Sequence, residues 1–264
     1  MGCGHIQALE ETELKFSVHT SIFLSFSKSM TYIWNQENNI ITQIINKMQQ
    51  YDNILSADEL YDIYRFGCID TGEKSVLGLS GNKHRQQITL GQLQNQLQSD
   101  YIKSIELAGN TSMQQIFNQM IKKCKRKLNI SKELNKQPLH MLSIIFLNNQ
   151  TCTPIQDATQ LQKLQQYPVS IIVISFDKDL NEKYKNLLNS ENNSNTLHLN
   201  IHNINKKLKK GDNIIDSLLI QMISWITVRH KYIIDNYNNY QLSTSKLSDL
   251  STLMQTQLLS ELVE

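Results

Sequence analysis

The stretch that decides the fold is Leu139–Leu147, which reads LHMLSIIFL. It is short and nearly continuous in apolar residues, and no turn residue interrupts it. Such a run is typical of a strand in a parallel sheet that is buried on both faces. Similar runs occupy residues 21–26, 61–69 and 169–176. We therefore predict a sheet with these segments as strands, with 21–26, 139–147 and 169–176 in its interior.

Between these runs, apolar residues recur at three- and four-residue steps, which is the spacing of one helix face. They are Ile40, Ile41, Ile44, Ile45 and Met48 in one helix, Met113, Ile116, Phe117, Met120, Ile121, Cys124 and Leu128 in a second, and Ile155, Ala158, Leu161 and Leu164 in a third. A weaker strand is predicted at 197–201 and a long helix at 213–234, with polar connections at 72–91 and 190–195. This alternation predicts an α/β fold, an open, mainly parallel sheet flanked by helices on both faces.

The composition excludes several classes of protein. The 264 residues carry a formal net charge of +2, and only 19% of them are charged, whereas Asn and Gln number 26 and 25. Without a basic excess the chain does not resemble a nucleic-acid binder. Too few Gly, Pro and Cys residues are present for a collagen or a disulfide scaffold. We divide the chain into an N-terminal segment at 1–13, one α/β domain at 14–236 and an amphipathic helical tail at 237–264.

The cysteines and the absence of targeting signals indicate a cytoplasmic protein. Cys3, Cys68, Cys124 and Cys152 form no C-x-x-C pair, so we expect reduced thiols and no zinc site. No basic segment leads into an apolar stretch at the N-terminus, as a signal peptide requires. The most apolar candidate for a membrane span, 214–228, is too short.

The opening sequence MGCG suggests a lipid anchor. Gly2 is the residue that carries myristate after Met removal, and Cys3 beside it is suited to palmitate; two acyl chains together give stable anchoring. The acceptor pattern prefers Ser or Thr where this chain has Ile6. An accidental MGCG start explains the sequence equally well, and both interpretations stay open.

Polar residues follow three predicted strands or precede a predicted helix. Ser25, Ser27 and Ser29 alternate at the end of the first strand, Thr111 lies before the second helix, and Asn149 follows the central strand. Ligands of open parallel sheets bind at the carboxyl ends of the strands. These five residues are therefore the candidate site.

The ordered set resembles the metal-ion-dependent adhesion site of a von Willebrand factor A domain, specifically the copine type. That family places D-x-S-x-S after its first strand, a Thr in a later loop and an Asp after its central strand. Residues 167–174, which read YPVSIIVI, are similar to the copine L-P-x-S-I-I pattern, and the resemblance spans about residues 17–234. It implies a protein-interaction module that is not an enzyme.

The chain differs from the family at the two positions where the family has charged metal ligands. Ser25 and Asn149 stand in place of both carboxylates, and Mg²⁺ prefers anionic oxygen ligands. We expect no ordered Mg²⁺ or Mn²⁺, with weak Mg²⁺ binding as the upper limit, and no other cofactor. Helix capping is a structural alternative for Thr111 and Ser112, as a turn is for Ser27 and Ser29.

Two further segments suggest contacts. The basic run at 122–127 is predicted at the C-terminal end of a helix, where it is solvated or adds attraction to an anionic membrane. In the tail, an apolar stripe at helical spacing follows the capping residues Ser243 and Ser245. The stripe consists of Leu247, Leu250, Met254, Leu258 and Leu262, and we expect it to dock on a partner or on the domain itself.

From these observations we expect a non-enzymatic interaction module that is a structural or adaptor subunit of a larger protein assembly and does not bind nucleic acid. The alternative is an acyl-anchored, copine-like membrane adaptor with residual divalent-metal-dependent partner binding. Both readings place the chain in the cytoplasm, associated with the cytoskeleton or with a membrane surface through its N-terminus.

Overall fold

The computed structural model describes residues 17–37, 39–72, 74–81, 86–108, 112–133, 139–148, 154–177, 195–237 and 240. Within them, a seven-stranded sheet has the order β3-β2-β1-β5-β6-β7, and β4 pairs with β2 beside β3. The strands are β1 (Ser17–Ser25), β2 (Tyr61–Phe66), β3 (Leu77–Gly78), β4 (Gln86–Ile88), β5 (Leu139–Leu147), β6 (Val169–Ser175) and β7 (Thr196–Asn200). Strands β1, β2, β5, β6 and β7 run parallel, whereas β3 and β4 pair antiparallel with β2.

Helices connect the strands and cover the sheet. They are α1 (Thr31–Trp34), α2 (Ile40–Met48), α3 (Asp52–Leu55), α4 (Leu90–Leu97), α5 (Asp100–Lys103), α6 (Gln114–Glu133), α7 (Pro154–Leu164), α8 (Ile201–Lys207) and α9 (Ile214–Asp235). Short 3₁₀ turns lie at Lys28–Met30 and Gln49–Tyr51. Asn39, Asn200 and Asn213 begin α2, α8 and α9, where each side chain accepts backbone N–H bonds and so satisfies a helix end.

The core has two apolar layers, one on each face of the sheet. One layer joins β1, β2, β5 and β6 to α2, α4, α8 and most of α9. The other joins the opposite face of the same strands to α6 and α7. The open, mainly parallel sheet with helices on both faces confirms the predicted fold class, and β1, β5 and β6 are interior strands as expected.

The structure corrects several predicted boundaries. The connection at 72–91 is not purely polar loop, because it contains β3, β4 and the start of α4. Ile201 does not end a strand: the Asn200 side chain accepts the Asn203 N–H, which starts α8 at Ile201. Strand β1 begins four residues earlier than predicted, and β2 ends at Phe66 because Gly67 has a positive φ of 72°.

Gly2, Cys3 and the tail stripe fall outside the described residues, so the three-part division of the chain stays a prediction. Among the described helices, none combines the length and apolarity that a membrane crossing requires.

Candidate functional site

The end of β1 is held between two neighbouring segments. The Phe26 N–H donates to the Phe66 carbonyl at 2.8 Å, and the Lys28 N–H donates to the Ala108 carbonyl at 2.7 Å. Ser27 and Ala108 form a parallel bridge. The segment that leads to Thr111 therefore lies beside the serine motif up to Ala108.

The three serines form a chain of hydroxyl groups. The Ser25 hydroxyl donates to Ser27 Oγ at 3.2 Å, and Ser27 Oγ lies 2.9 Å from Ser29 Oγ. The Ser29 hydroxyl in turn donates to the Asn148 carbonyl at 2.9 Å. Ser25 and Ser27 are buried and Ser29 is half-buried, so the chain of hydroxyls runs outward from the core to the carboxyl edge.

Asn148, which directly follows the central strand β5, is the fourth residue of this cluster. Its Nδ2 donates to the Ser29 carbonyl at 2.6 Å, and its residue is only 2% exposed. Its Oδ1 is buried and accepts no hydrogen bond from the described part of the chain. An unmatched buried acceptor is costly, so this oxygen is the atom of the cluster best placed to accept a bond from a bound group.

The sequence located part of this cluster. Ser25, Ser27 and Ser29 are linked by hydrogen bonds, whereas Thr111 and Asn149 fall outside the described residues. The neighbouring Ser112 accepts the Gln114 N–H at 3.2 Å at the start of α6, as the capping alternative expects. Sequence reasoning missed Asn148, and the signal for it was its place directly after the last apolar residue of β5.

Aromatic residues form the rim of the site. Trp34 Nε1 donates to the Ser25 carbonyl at 2.9 Å, and its ring stacks on Phe26 with centroids 4.6 Å apart. Tyr32 is half exposed, and its hydroxyl donates to the Phe176 carbonyl at 3.3 Å. Burial raises the pKa of Tyr32, and the nearby Asp177 carboxylate raises it further. The hydroxyl therefore stays protonated as a donor at neutral pH.

The oxygens of this cluster do not suit a divalent cation. The serine hydroxyls and the Asn148 amide are neutral, and the hydroxyls are already bonded to one another. Mg²⁺ needs about six oxygens in near-octahedral geometry and is usually held by one or two carboxylates. No group of three or more His, Cys, Asp or Glu residues is arranged to hold a metal within the described ranges. The site is better suited to hydrogen bonding than to metal coordination.

A second polar group lies where β6 and β7 end. Ser175 Oγ is 2.8 Å from His198 Nε2 and accepts a hydrogen bond from Asn200 Nδ2 at 2.9 Å. Asn200 Nδ2 also donates to the Asp177 carbonyl at 2.8 Å. Ser175 has no exposed surface, so its hydroxyl connects the two strands rather than facing a substrate.

The predicted basic run has a different setting from the one expected. Residues 122–127 lie in the middle of α6, which continues to Glu133, so the placement at a helix end was wrong. Lys122, Lys125 and Arg126 are exposed, but Lys123 points inward. Its ammonium group pairs with the buried Asp62 carboxylate of β2.

A buried histidine pair lies between β5 and α9. Nδ1 of His140 is 3.0 Å from Nδ1 of His230, and His140 Nε2 is 2.8 Å from Ser170 Oγ. One Nδ1 must donate the hydrogen bond and the other must accept it, so the two rings cannot both be positively charged imidazolium ions. Burial first, then His230 and Arg229, hold the pKa of His140 well below its ordinary value. The pair is neutral and structural at pH 7.

The fold and the serine–asparagine cluster define an open α/β sheet protein with a neutral polar site at the carboxyl edge. Comparison of the sequence with protein-family models finds no match, and comparison with curated proteins finds no significant match. Similarity is detected at the level of the backbone instead.

Several solved structures have a similar backbone fold. The manganese-loaded TRAP protein of Plasmodium vivax is 16% identical over 70% of this chain and 69% of its own, with a TM-score of 0.46. Proximal thread matrix protein 1 of the mussel byssus is 12% identical over 80% of this chain and 47% of its own (TM-score 0.44). The ArnB paralog VWA2 of Sulfolobus acidocaldarius is 17% identical over 69% and 41% (TM-score 0.38). These likenesses concern the backbone fold alone.

Proposed function

We propose that this chain is a non-enzymatic protein-interaction module of the von Willebrand factor A type, related to the copine branch. Its partner site is the carboxyl-edge cluster of Ser25, Ser27, Ser29 and Asn148, together with Thr111 and Asn149. It acts as a structural or adaptor subunit of a cytoplasmic assembly, and it needs no metal or other cofactor.

The observation that carries this proposal is the neutrality of a preformed cluster. In the adhesion site that the motif resembles, a metal bridges the domain to its partner. Here Ser25 and Asn148 offer a hydroxyl and an amide at strand ends, and the Asn148 Oδ1 acceptor is buried and unmatched. A partner that donates a hydrogen bond to this oxygen would remove its desolvation cost, which is worth about 1–3 kcal/mol.

The rim supports the same reading. Tyr32 presents a half-exposed ring and a protonated hydroxyl beside the cluster, and Tyr is enriched at protein interfaces. A polar acceptor surrounded by an aromatic side chain and a buried hydroxyl chain is suited to a partner side chain with an N–H or O–H group. Recognition would therefore be direct rather than through a bound ion.

Affinity capture from a native extract tests the proposal. The full chain carrying Ser29→Ala and Asn148→Ala should lose its stoichiometric partners, whether or not EDTA is present. The matched control is Asn53→Ala with Ser104→Ala, which changes the same residue types at exposed positions outside the cluster. Unchanged capture by the edge variant, with its fold intact by circular dichroism, would reject the cluster as the partner site.

The runner-up function is an acyl-anchored, copine-like membrane adaptor with residual divalent-metal-dependent binding. The MGCG opening supports it, because Gly2 and Cys3 together provide two acylation positions. EDTA discriminates the two functions: partners that are lost on chelation and return with Mg²⁺ would favour the adaptor over metal-independent binding.

A further inference from the structure

The end of α8 and the loop that follows it carry a dense group of positive charges. The group consists of Lys206, Lys207, Lys209 and Lys210, which are all exposed and are named the lysine cluster below. Within the described ranges, none of these ammonium groups forms an ion pair. Asp212 is the one acidic residue at 201–215, and its Oδ2 accepts the backbone N–H of Lys209 at 2.9 Å. Four positive charges therefore face a single negative charge.

Charge is unevenly distributed along the chain. Residues 201–240 contain six Lys and Arg residues and three Asp residues, a net charge of +3, whereas the whole chain carries +2. The rest of the chain together therefore carries −1. The region of α8 and α9 is the basic part of a nearly neutral molecule, and electrostatic attraction favours an anionic partner for it.

The outward face of α9 adds exposed apolar side chains to this charge. Ile220, Val228 and Tyr232 are 53%, 68% and 47% exposed, and the exposed Ser224 lies between Ile220 and Val228. Residues four apart are neighbours on a helix, so these four residues form one row, named the α9 row below. Between 217 and 230 the only Lys, Arg, Asp or Glu is Arg229, which is buried. The row is therefore an uncharged surface about 18 Å long.

We propose that the lysine cluster and the α9 row together bind the surface of an anionic membrane. Lysines attract acidic lipid headgroups, and exposed apolar side chains of a helix that lies in the interface enter the acyl boundary. Lysine suits this role, because it is a point charge on a flexible stem and needs no fixed arrangement of acceptors. Tyr232 adds a ring with a polar tip, which is typical of the membrane–water interface. This surface is separate from the proposed partner site at the carboxyl edge and does not depend on it.

Two other occupants fit this surface less well. A second copy would bring one region of charge +3 against another, because the same face would be used twice, and like charges placed together oppose binding. A partner helix is usually held in an apolar groove. The α9 row, in contrast, lies on the outward face of a helix whose other side packs into the core.

Co-sedimentation with lipid vesicles tests the proposal. The full chain with Gly2→Ala and Cys3→Ser, which prevents acylation, should sediment with phosphatidylcholine–phosphatidylserine vesicles and not with phosphatidylcholine alone. Replacement of the whole lysine cluster by Gln should weaken binding by more than about a hundredfold, since each lysine near an anionic surface contributes roughly fivefold.

The matched control removes the same number of charges at exposed lysines elsewhere, with Lys103→Gln, Lys122→Gln, Lys125→Gln and Lys163→Gln. It should weaken binding by less than about threefold, because charges further than a Debye length from the membrane are screened. Equal losses in the two variants, or equal binding to neutral vesicles, would overturn the proposal. Binding to polyglutamate without binding to anionic vesicles would also overturn it, in favour of an acidic protein partner.

A fluorescent label measures which face meets the bilayer. In the same non-acylated protein with Cys152→Ser, an environment-sensitive label on Val228→Cys should brighten when anionic vesicles are added. The same label on Ile69→Cys should not respond, because Ile69 is 60% exposed but lies outside α9. Cys68 and Cys124 are buried and do not compete for the label. An equal response at the two labelled positions, or none at Val228→Cys, would contradict the assignment of the α9 row.

Discussion

At the residue scale, the two polar atoms of the Asn148 side-chain amide differ in their hydrogen bonding. Nδ2 is bonded to the Ser29 carbonyl, whereas Oδ1 is buried without a partner from the described ranges. The position therefore needs a donor towards the Ser29 carbonyl and has a buried acceptor on its other side. A carboxylate placed there would face the Ser29 carbonyl oxygen without a neutralising charge, so its pKa would rise unless a cation bound.

We predict that Asn148→Asp creates a response to Mg²⁺ that the unmodified protein lacks. At 10 mM Mg²⁺ the variant should gain on the order of 1 kcal/mol, or about 2–4 °C in melting temperature. Calorimetric titration and thermal melts measure both proteins. The control is Asn53→Asp, at an exposed position in α3 outside the cluster. Micromolar Mg²⁺ binding by the unmodified chain that is lost in Thr111→Ala would contradict the expected absence of a metal.

A second residue-scale prediction concerns acid. Burial holds the pKa of His140 and of His230 below the ordinary value, and it lowers the pKa of His19 to about 4. Below about pH 6.5 the unfolded chain therefore binds protons that the folded chain does not. The free energy of unfolding decreases as the pH is lowered from about 6.5 to the folded pKa values. Urea unfolding between pH 7.5 and pH 4.5 measures this decline.

The variant with His140→Gln and His230→Gln isolates the pair. It removes two groups that protonate only after unfolding, so its stability should depend less steeply on pH between 6.5 and 4.5. A slope equal to that of the unmodified protein would show that the pair does not contribute to the acid sensitivity.

At the scale of elements, one buried ion pair joins α6 to the sheet. Lys123 pairs with Asp62 of β2 and donates to Ser21 Oγ of β1 at 2.6 Å. Burial lowers the pKa of Lys123, and the Asp62 carboxylate opposes that shift. Three elements therefore meet at a single charged contact, which fixes the position of α6 along the strands.

We predict that Lys123→Met lowers the free energy of unfolding by about 3–5 kcal/mol, because Asp62 keeps a buried charge without its cation. Adding Asp62→Leu should restore most of the loss, because a buried pair replaced by apolar residues is often neutral. Lys122→Met, at the exposed neighbouring position, should change stability by less than about 0.5 kcal/mol. Urea denaturation gives these values, and equal effects of Lys122→Met and Lys123→Met would refute the assignment.

The strength of the local pattern determined which elements could be predicted. The predicted bounds of β5 agree with the observed ones, because a short, nearly continuous apolar run indicates a strand that is buried on both faces. Strands β3 and β4 were not predicted, since strands of two and three residues have no periodicity of their own and depend on pairing with β2. In the candidate site, Asn148 and Asn149 are adjacent in the sequence. The sequence alone does not show which of them contacts Ser29, because this depends on the register of β5.

At the scale of the whole molecule, the serine cluster and the start of β1 lie at opposite ends of the parallel strands. The serine cluster lies at the carboxyl edge, where β1 and β5 end, whereas β1 begins at the opposite edge with Ser17. Residues 1–16, which include Gly2 and Cys3, lead into that opposite edge. The proposed N-terminal anchor and the proposed partner site are therefore connected to opposite ends of β1.

The acyl-anchored alternative predicts that Gly2 and Cys3 carry acyl groups in the native protein. Two acyl chains give stable attachment where one alone binds only marginally, so Gly2→Ala should move the protein from the membrane fraction to the supernatant. Cys152→Ser is the control and should not change the distribution. Mass spectrometry of the native N-terminus decides the matter: a retained Met1, or unmodified Gly2 and Cys3, would end the hypothesis.

The pairing of β1 with both β2 and β5 has a consequence for synthesis on the ribosome. Strand β2 follows β1 closely and is complete at Phe66, but β5 is complete only at Leu147. At roughly 5–20 residues per second, the intervening stretch of about 80 residues takes on the order of 4–16 s to translate. During that interval one side of β1 has no strand to pair with, and an unpaired apolar edge is prone to aggregate. The nascent chain is therefore most dependent on chaperones before its central strand emerges.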